Sequence, residues 1–309
     1  MLRIIVLGAG AGGGFPQWNC NCANCRRARS GDPLARAATQ SSLAVTADNG
    51  ESWYLLNASP DLRQQIAETP ELHPGTRGRD SPIRGVVLTN ADVDHIAGLL
   101  ILREVQPLVI YGTSRVLAKV RANEIFKVLD PKLVSWRPLI PEQMTELCGP
   151  DGLPSGLRAK IFPVPGKVAL WLEDPRLENL GSAPDDTIGL ELAANGGKHF
   201  FYIPGCAGMP IALADRLRGA ELIFFDGTTY TDDEMIACGL GSKTASRMGH
   251  MSISGADGSI AALAPLRANR KIFIHINNSN PILIADSPER KTVEAAGWEV
   301  GTDGLQVTL

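Results

Sequence analysis

The run WNCNCANC places three cysteines, Cys20, Cys22 and Cys25, within six positions of a chain that has six in all. Thiolates are soft ligands, and C-x-C-x-x-C spacing lets three of them converge on one tetrahedral Zn²⁺ if a fourth ligand arrives from elsewhere. Buried cysteines also serve as small apolar groups. Here Asn19, Asn21 and Asn24 surround them with polar side chains, so metal is the stronger reading. With no carboxylate or histidine inside the cluster, the spacing favours a closed structural zinc site over a catalytic one. Cys148, Cys206 and Cys238 are scattered.

A second stretch, VVLTNADVDHIAGLLIL at 86–102, runs an apolar strand into a turn bearing Asp92, Asp94 and His95, after which a helix leaves. Acids and imidazoles at a strand's end sit where open α/β proteins place their chemistry. Two further residues belong to a second tier. Asp226 ends the apolar run LIFFD and suits an outer acceptor for a ligand imidazole, a general base or a turn cap. His250, in RMGHMSISG, suits substrate orientation, proton donation or a plain solvent-facing loop position.

The elements that must hold these groups alternate between β-rich and helical patterns. Strands are predicted at 3–8, 42–47, 52–57, 85–90, 108–112, 199–204, 222–227 and 271–276. Several are apolar almost throughout, as strands covered on both faces should be. Helices are predicted at 60–67 (Ser59 capping), 96–104, 114–127, 210–218, 254–264 and 288–296. Segments 70–83 and 139–157, rich in Pro, Gly and polar residues, read as long surface loops. No linker divides residues 1–309, which read as one α/β domain with mixed sheets and helices outside. Gly8, Gly10 and Gly13 match the dinucleotide fingerprint, but FPQWNCNC follows where a helix should open, and the expected acidic residue some 20 positions on is missing. A tight turn with close backbone approach explains those glycines better.

Composition narrows the function class. The 309 residues are 44% hydrophobic and 20% charged with a net charge of −3, without the clustered basic stripe of a nucleic-acid binder. The start MLRIIVLGAG suits a buried strand better than a secretory signal. The longest strongly apolar stretch, 96–102, is far short of the ~20 residues that cross a bilayer. The expectation is a cytoplasmic protein with no membrane span, whose cysteines are not a disulfide framework.

The order of these features resembles the metallo-β-lactamase superfamily, whose hallmark at the 86–102 turn is H-x-H-x-D-H. Its other landmarks correspond to LGAGAGGGFP, YLLNASPDL, FYIPGCAG and IFIHINNSNP with His275. The resemblance implies an αββα sandwich, two mixed β-sheets with helices on the outer faces. It also implies a damaged binuclear site. Aligned on Asp94 and His95, the first two hallmark histidines fall on Asn90 and Asp92. The middle segment AKIFPVPGKVALWLEDP holds no histidine, and Gly205 or Cys206 stands where a bridging aspartate is usual. What survives is Asp94, His95 and His275. One carboxylate and two imidazoles with open positions form the facial triad of non-haem Fe(II) oxygenases. Fe²⁺ is therefore expected ahead of Zn²⁺, unless Cys206 joins the set.

Superfamily phosphodiesterases with a similar cysteine cluster take a histidine as fourth zinc ligand three positions beyond the last site histidine. Here that position is Asn278, a weaker ligand. Jointly, NCNCANC, NADVDHIAGLL, FDGTTY, GHMSI and HINNSNP resemble the coenzyme PQQ synthesis protein B family of pyrroloquinoline quinone (PQQ) biosynthesis. That resemblance implies an Fe(II)- and O₂-dependent hydroxylase acting on the tyrosine ring of a small anionic Glu-Tyr derived precursor. Asp92, Asp226 and His250 would then be its catalytic, proton-managing residues. The competing readings are a carrier moving PQQ or its precursor towards the periplasm and, behind it, a zinc hydrolase. A carrier across a membrane needs a spanning segment or a partner that has one. Other PQQ-pathway proteins are natural partners, and the reading leaves room for a homodimer.

Overall fold

A computed structural model describes residues 1–76 and 78–309. Fourteen strands follow in chain order: β1 (Arg3–Gly8), β2 (Ser42–Thr46), β3 (Trp53–Leu56), β4 (Ile83–Val87), β5 (Leu108–Gly112), β6 (Val134–Pro138), β7 (Thr145–Cys148), β8 (Pro154–Pro163), β9 (Ile188–Ala194), β10 (His199–Ile203), β11 (Leu222–Asp226), β12 (Arg270–Ile274), β13 (Glu299–Val300) and β14 (Gln306–Thr308). They form two seven-stranded sheets, ordered β14-β1-β2-β3-β4-β5-β6 and β13-β12-β11-β10-β9-β8-β7. Each sheet is antiparallel at one end and parallel at the other. β14 to β3 pair antiparallel and β3 to β6 parallel, while β7 to β10 pair antiparallel and β10 to β13 parallel.

The sheets face one another across a core built from alternate residues of both. Ile4, Val6, Val45, Leu56 and Val109 come from the first sheet; Ile161, Leu190, Phe224 and Ile274 come from the second. The odd-numbered partners on β1 and the facing residues on β11 bury outward instead, under helices. Leu62, Ile96 and Val116 cover the first sheet, while Leu213, Leu263 and Val293 cover the second. Two covered faces explain the continuous apolar runs of β1, β3, β5 and β11. The result is the expected sandwich of two mixed sheets with helices outside.

Eight strands lie where the sequence predicts them, with β4 starting two residues early. β6, β7, β8, β9, β13 and β14 were not predicted. The 139–157 segment is the main correction: it contains β7 and the start of β8. The prolines and glycines there mark a hairpin, with Gly152 at φ 81° in its turn. The 60–67 helix runs Leu62–Glu68 with Asp61 as its N-cap. Ser59 instead accepts from Asp61 N and donates to Gln65 Oε1. A short helix at Ala23–Arg29, not predicted, opens from Cys22 rather than from the glycine run.

At the site-bearing turn the helix is brief, Val93–Ile96, and continues as a 3₁₀ segment to Arg103. Close packing sets its direction. His95 O accepts from Ala58 N, Gly98 N donates to Ala58 O, and a Cβ on Gly98 would lie 2.3 Å from Ser59 O. No side chain larger than hydrogen fits there. Gly98→Ala is expected to lower stability by about 1–3 kcal/mol through forced backbone movement. Urea denaturation midpoints of the two proteins check this.

Candidate metal centre

The parallel ends of both sheets point to one edge of the sandwich, and the chain's chemistry collects there. β4 delivers Asn90 to His95, β11 ends on Asp226, and β12 runs directly into His275. His275 sits at φ 55°, in the left-handed region that non-glycine residues rarely occupy. Its neighbour Ile276 explains the bend: Ile276 N donates to Ala9 O and Ile276 O accepts from Ala11 N, pairing the end of β12 with the glycine run. That run lies close over the site, since a Cβ on Gly12 would be 3.4 Å from Asp94 Cγ. The glycines therefore permit close approach to a carboxylate, not to a pyrophosphate.

Asp94, His95 and His275 are brought together, with one ligand atom from each lying within 4.8 Å of the others. His275 Nε2 is 3.1 Å and His95 Nε2 is 3.9 Å from Asp94 Oδ2. Each imidazole is aimed by an oxygen on its far side. His95 Nδ1–H donates to Asn90 Oδ1 at 2.7 Å, which leaves Nε2 as the lone-pair nitrogen. His275 Nδ1–H donates to Thr228 Oγ1 at 2.9 Å, and the Thr228 hydroxyl in turn donates to Asp226 Oδ1 at 2.6 Å. Such partners fix tautomer and orientation at metal sites.

His95 Nε2 is buried and has no hydrogen-bond partner among the described residues. A buried polar nitrogen left unpaired is costly, and a cation between it, Asp94 and His275 would satisfy it. Burial pushes the Asp94 carboxyl up, but the two imidazoles outweigh it and hold the group ionised well below the usual carboxylate range. Burial likewise pulls His95 down towards its neutral, ligating form. Two nitrogens and one oxygen, with no thiolate, make the donor set. Cys206 does not join it: its thiol donates to Gly208 O, and burial pushes it up to about 12.

Asp226, His250 and His275 form a second group of potential ligands, but its centre is occupied by the Thr228 hydroxyl. Thr228 Oγ1 lies 2.6 Å from Asp226 Oδ1, 3.1 Å from His250 Nδ1 and 2.9 Å from His275 Nδ1. Asp226 Oδ2 accepts from His250 Nδ1–H at 2.7 Å and from Cys206 N at 2.9 Å. The His250 ring stacks on His275 with centroids 5.2 Å apart. Asp92 lies at the margin of the site. Its carboxylate accepts from Asn90 Nδ2 and from Leu170 N.

The cysteine cluster is equally compact. Cys20, Cys22 and Cys25 converge, and the Asn278 amide reaches the three sulfurs at 3.1, 3.7 and 3.4 Å. Turned about its terminal bond, that amide presents Oδ1 at the same point, an oxygen able to complete a tetrahedron. Cys22 N and Cys25 N donate to neighbouring sulfurs. Burial pushes the Cys25 thiol up to about 11, towards its protonated form, so a cation would be needed to hold it as a thiolate beside the other two sulfurs. Asn24 ties the two parts of the site together by donating to the carbonyls of Asn278, Ser279 and Asn280.

Comparison with known proteins shows the family. Residues 52–276 match the family described as "Beta-lactamase superfamily domain". The chain is 53% identical to coenzyme PQQ synthesis protein B of Gluconacetobacter diazotrophicus and 50% identical to that of Methylobacterium radiotolerans, with both chains covered in full. The crystal structure of Zn²⁺-bound PqqB from Methylobacterium extorquens superposes with a TM-score of 0.93 at 48% identity, covering 99% of this chain and 100% of that one. The chain belongs to the coenzyme PQQ synthesis protein B family. A diphosphatase of the PhnP family, 20% identical with a TM-score of 0.67, covering 100% of this chain and 98% of its own, shares the fold.

Within the family frame, Thr228 and Asn90 are the functional residues that sequence reasoning missed. Thr228 follows the strand-ending Asp226 by two positions, the spacing at which a hydroxyl can reach that carboxylate, and this was the available signal. Asn90 stood out only as a lost ligand. Thr228→Val removes the hydroxyl that orients His275, and affinity for a labile metal at Asp94 should fall ~10–100-fold while the cysteine site keeps its ion. Chelator competition followed by metal analysis checks this.

Glu234 lies behind the cysteine site, where it accepts from Tyr230 N and the Ser279 hydroxyl. Burial pushes its carboxyl from 4.5 up to about 7. The folded chain therefore holds a proton that the unfolded chain releases, and stability falls as pH rises through that window, by on the order of 3 kcal/mol. Glu234→Gln should flatten the slope between about pH 5 and pH 7, as read from urea midpoints across that range.

Proposed function

We propose that this chain acts in PQQ biosynthesis as a non-haem iron hydroxylase of a Glu-Tyr derived precursor. Asp94, His95 and His275 hold Fe(II), while Cys20, Cys22, Cys25 and Asn278 hold a structural zinc. The observation that carries the reading is the buried, unpartnered His95 Nε2 facing Asp94 and His275, a three-point donor set without thiolate. Bound there, Fe(II) would supply oxygen activation for a net reaction in which one atom of O₂ replaces a ring hydrogen as hydroxyl and the other leaves as water, the two electrons and two protons coming from a soluble small-molecule reductant. The chain's own groups handle the proton. Asp226 holds Nδ1–H of His250, which leaves Nε2 free to take the phenol proton as the ring is oxidised. Asp92 serves by position, fixing Asn90 behind His95 and anchoring the loop at Leu170. No described helix is long and apolar enough to cross a membrane, so a carrier role would need a partner that spans one.

Anaerobic loading with Fe(II), then O₂ with the crosslinked Glu-Tyr unit and ascorbate, is expected to give substrate-dependent oxygen uptake and a product heavier by one oxygen atom. His95→Ala should lose more than the ~10–100-fold that removal of an outer partner costs. Uptake that is absent, or unchanged by His95→Ala, returns the carrier reading to first place.

A further inference from the structure

The segment from Pro165 to Gly181 links the two turns that carry the site. On one side Leu170 N donates to Asp92 Oδ1 and Trp171 Nε1 donates to Ala91 O at 2.8 Å. On the other, Lys167 lies against Gly249, where a Cβ would meet Lys167 Cγ at 3.1 Å. Gly249 precedes His250, whose ring stacks on His275. Three charges meet in this bridge. Glu173 takes Lys167 Nζ at 3.2 Å and Arg247 Nη2 at 3.1 Å. The lysine and glutamate side chains are only 18% and 12% exposed. Chiefly the Arg247 bond, with help from Lys167, holds the Glu173 carboxyl below its ordinary range.

Two cations focused on one carboxylate, one of them a guanidinium with a planar fork, make a carboxylate receptor. Its present guest is covalently part of the chain. The guest sits on a segment that also carries two non-glycine residues in the left-handed region, Asn179 at φ 48° and Leu180 at φ 59°, and exposes Leu170, Trp171 and Leu177. Two cavities, of about 590 and 500 Å³, reach Lys167 and the chain neighbour of Arg247. The first is lined by Gly166 and Lys167 and the second by Ser246 and His250. Both are of a size that takes small molecules.

We infer that Lys167 and Arg247 form a carboxylate-binding subsite beside the metal centre, occupied in the free chain by Glu173 as an internal stand-in that an acidic substrate displaces. The identity of the substrate rests on the function proposed above; the subsite itself does not. Displacement has a defined consequence. While Glu173 fills the receptor only the open fraction binds, so apparent affinity is reduced by that fraction, and neutralising Glu173 removes the reduction.

The test is calorimetric titration of the full chain with zinc in both metal sites, which prevents turnover, using glutamyl-tyrosine and its fully amidated analogue as probes. The acid is expected to bind and the amide to bind at least ~10-fold more weakly. Lys167→Met and Arg247→Met should each weaken the acid ~10-fold and leave the amide unchanged, Arg247→Lys should restore part of the loss, and Glu173→Gln should tighten the acid ~3–10-fold. Thermal melting of each variant shows that it is folded. Acid binding that is unaltered in Arg247→Met and Glu173→Gln overturns the subsite, as does an absence of binding in wild type and Glu173→Gln alike. If the hydroxylase reading fails, oxygen uptake is lost while these affinity differences persist.

Discussion

Two oxygen atoms decide what this site can do. Asn90 Oδ1 and Thr228 Oγ1 each take the Nδ1 proton of one imidazole, so that both Nε2 lone pairs turn towards the Asp94 carboxylate. Without them either ring could present N–H instead, and a cation would meet repulsion where it should meet a ligand. The orientation is secured because each oxygen is itself held. Asn90 is locked by reciprocal bonds with Asp92, and the Thr228 hydroxyl is spent on Asp226 and so remains an acceptor for His275. Loss of either outer partner would weaken the metal without touching a ligand.

The cysteine cluster belongs to the same construction. His275 and Asn278 are three residues apart on the segment that leaves β12, and that segment is held from several sides. Ile276 pairs with the glycine run, Asn24 gathers the carbonyls of 278–280, and Asn280 Nδ2 reaches Gly227 O beside Thr228. An ion on Cys20, Cys22 and Cys25 would therefore brace the left-handed bend at His275, a conformation that surrounding structure must over-determine. The link runs through groups nearly 260 positions apart in the chain, such as Asn278 and Cys20.

The strands that carry the chemistry were legible because they are central. β4, β11 and β12 have helices or the facing sheet on both sides, and their buried stretches, Gly85–Val87, Leu222–Phe225 and Ile272–Ile274, read as apolar runs. β8 and β9 were not legible: β8 alternates buried and half-exposed positions and begins among prolines and glycines that look like loop. The candidate ligands were readable only by resemblance, since nothing local connects Asp94 to His275 across 181 positions. Their outer partners escaped because a threonine or an asparagine near a strand end has many routine uses. The short helix at Ala23–Arg29 was missed for a related reason: its cap is a cysteine, Cys22, whose sulfur accepts from Cys25 N in place of the usual oxygen.

The same threonine limits how many ions the Asp94 and His275 cluster could hold. A two-metal clamp needs ions ~3.5–4 Å apart, each with its own ligands. Asp226, His250 and His275 lie close enough to suggest a second position, yet Asp226 Oδ1, His250 Nδ1 and His275 Nδ1 all contact the Thr228 hydroxyl, which stands between them. The hallmark histidines that would serve the other position are Asn90 and Asp92 here, and both are bound to one another. Asn90 and Asp92 thus stand as scaffolding behind His95. An ion held by the remaining three groups would keep positions with no protein ligand, which a closed structural site lacks.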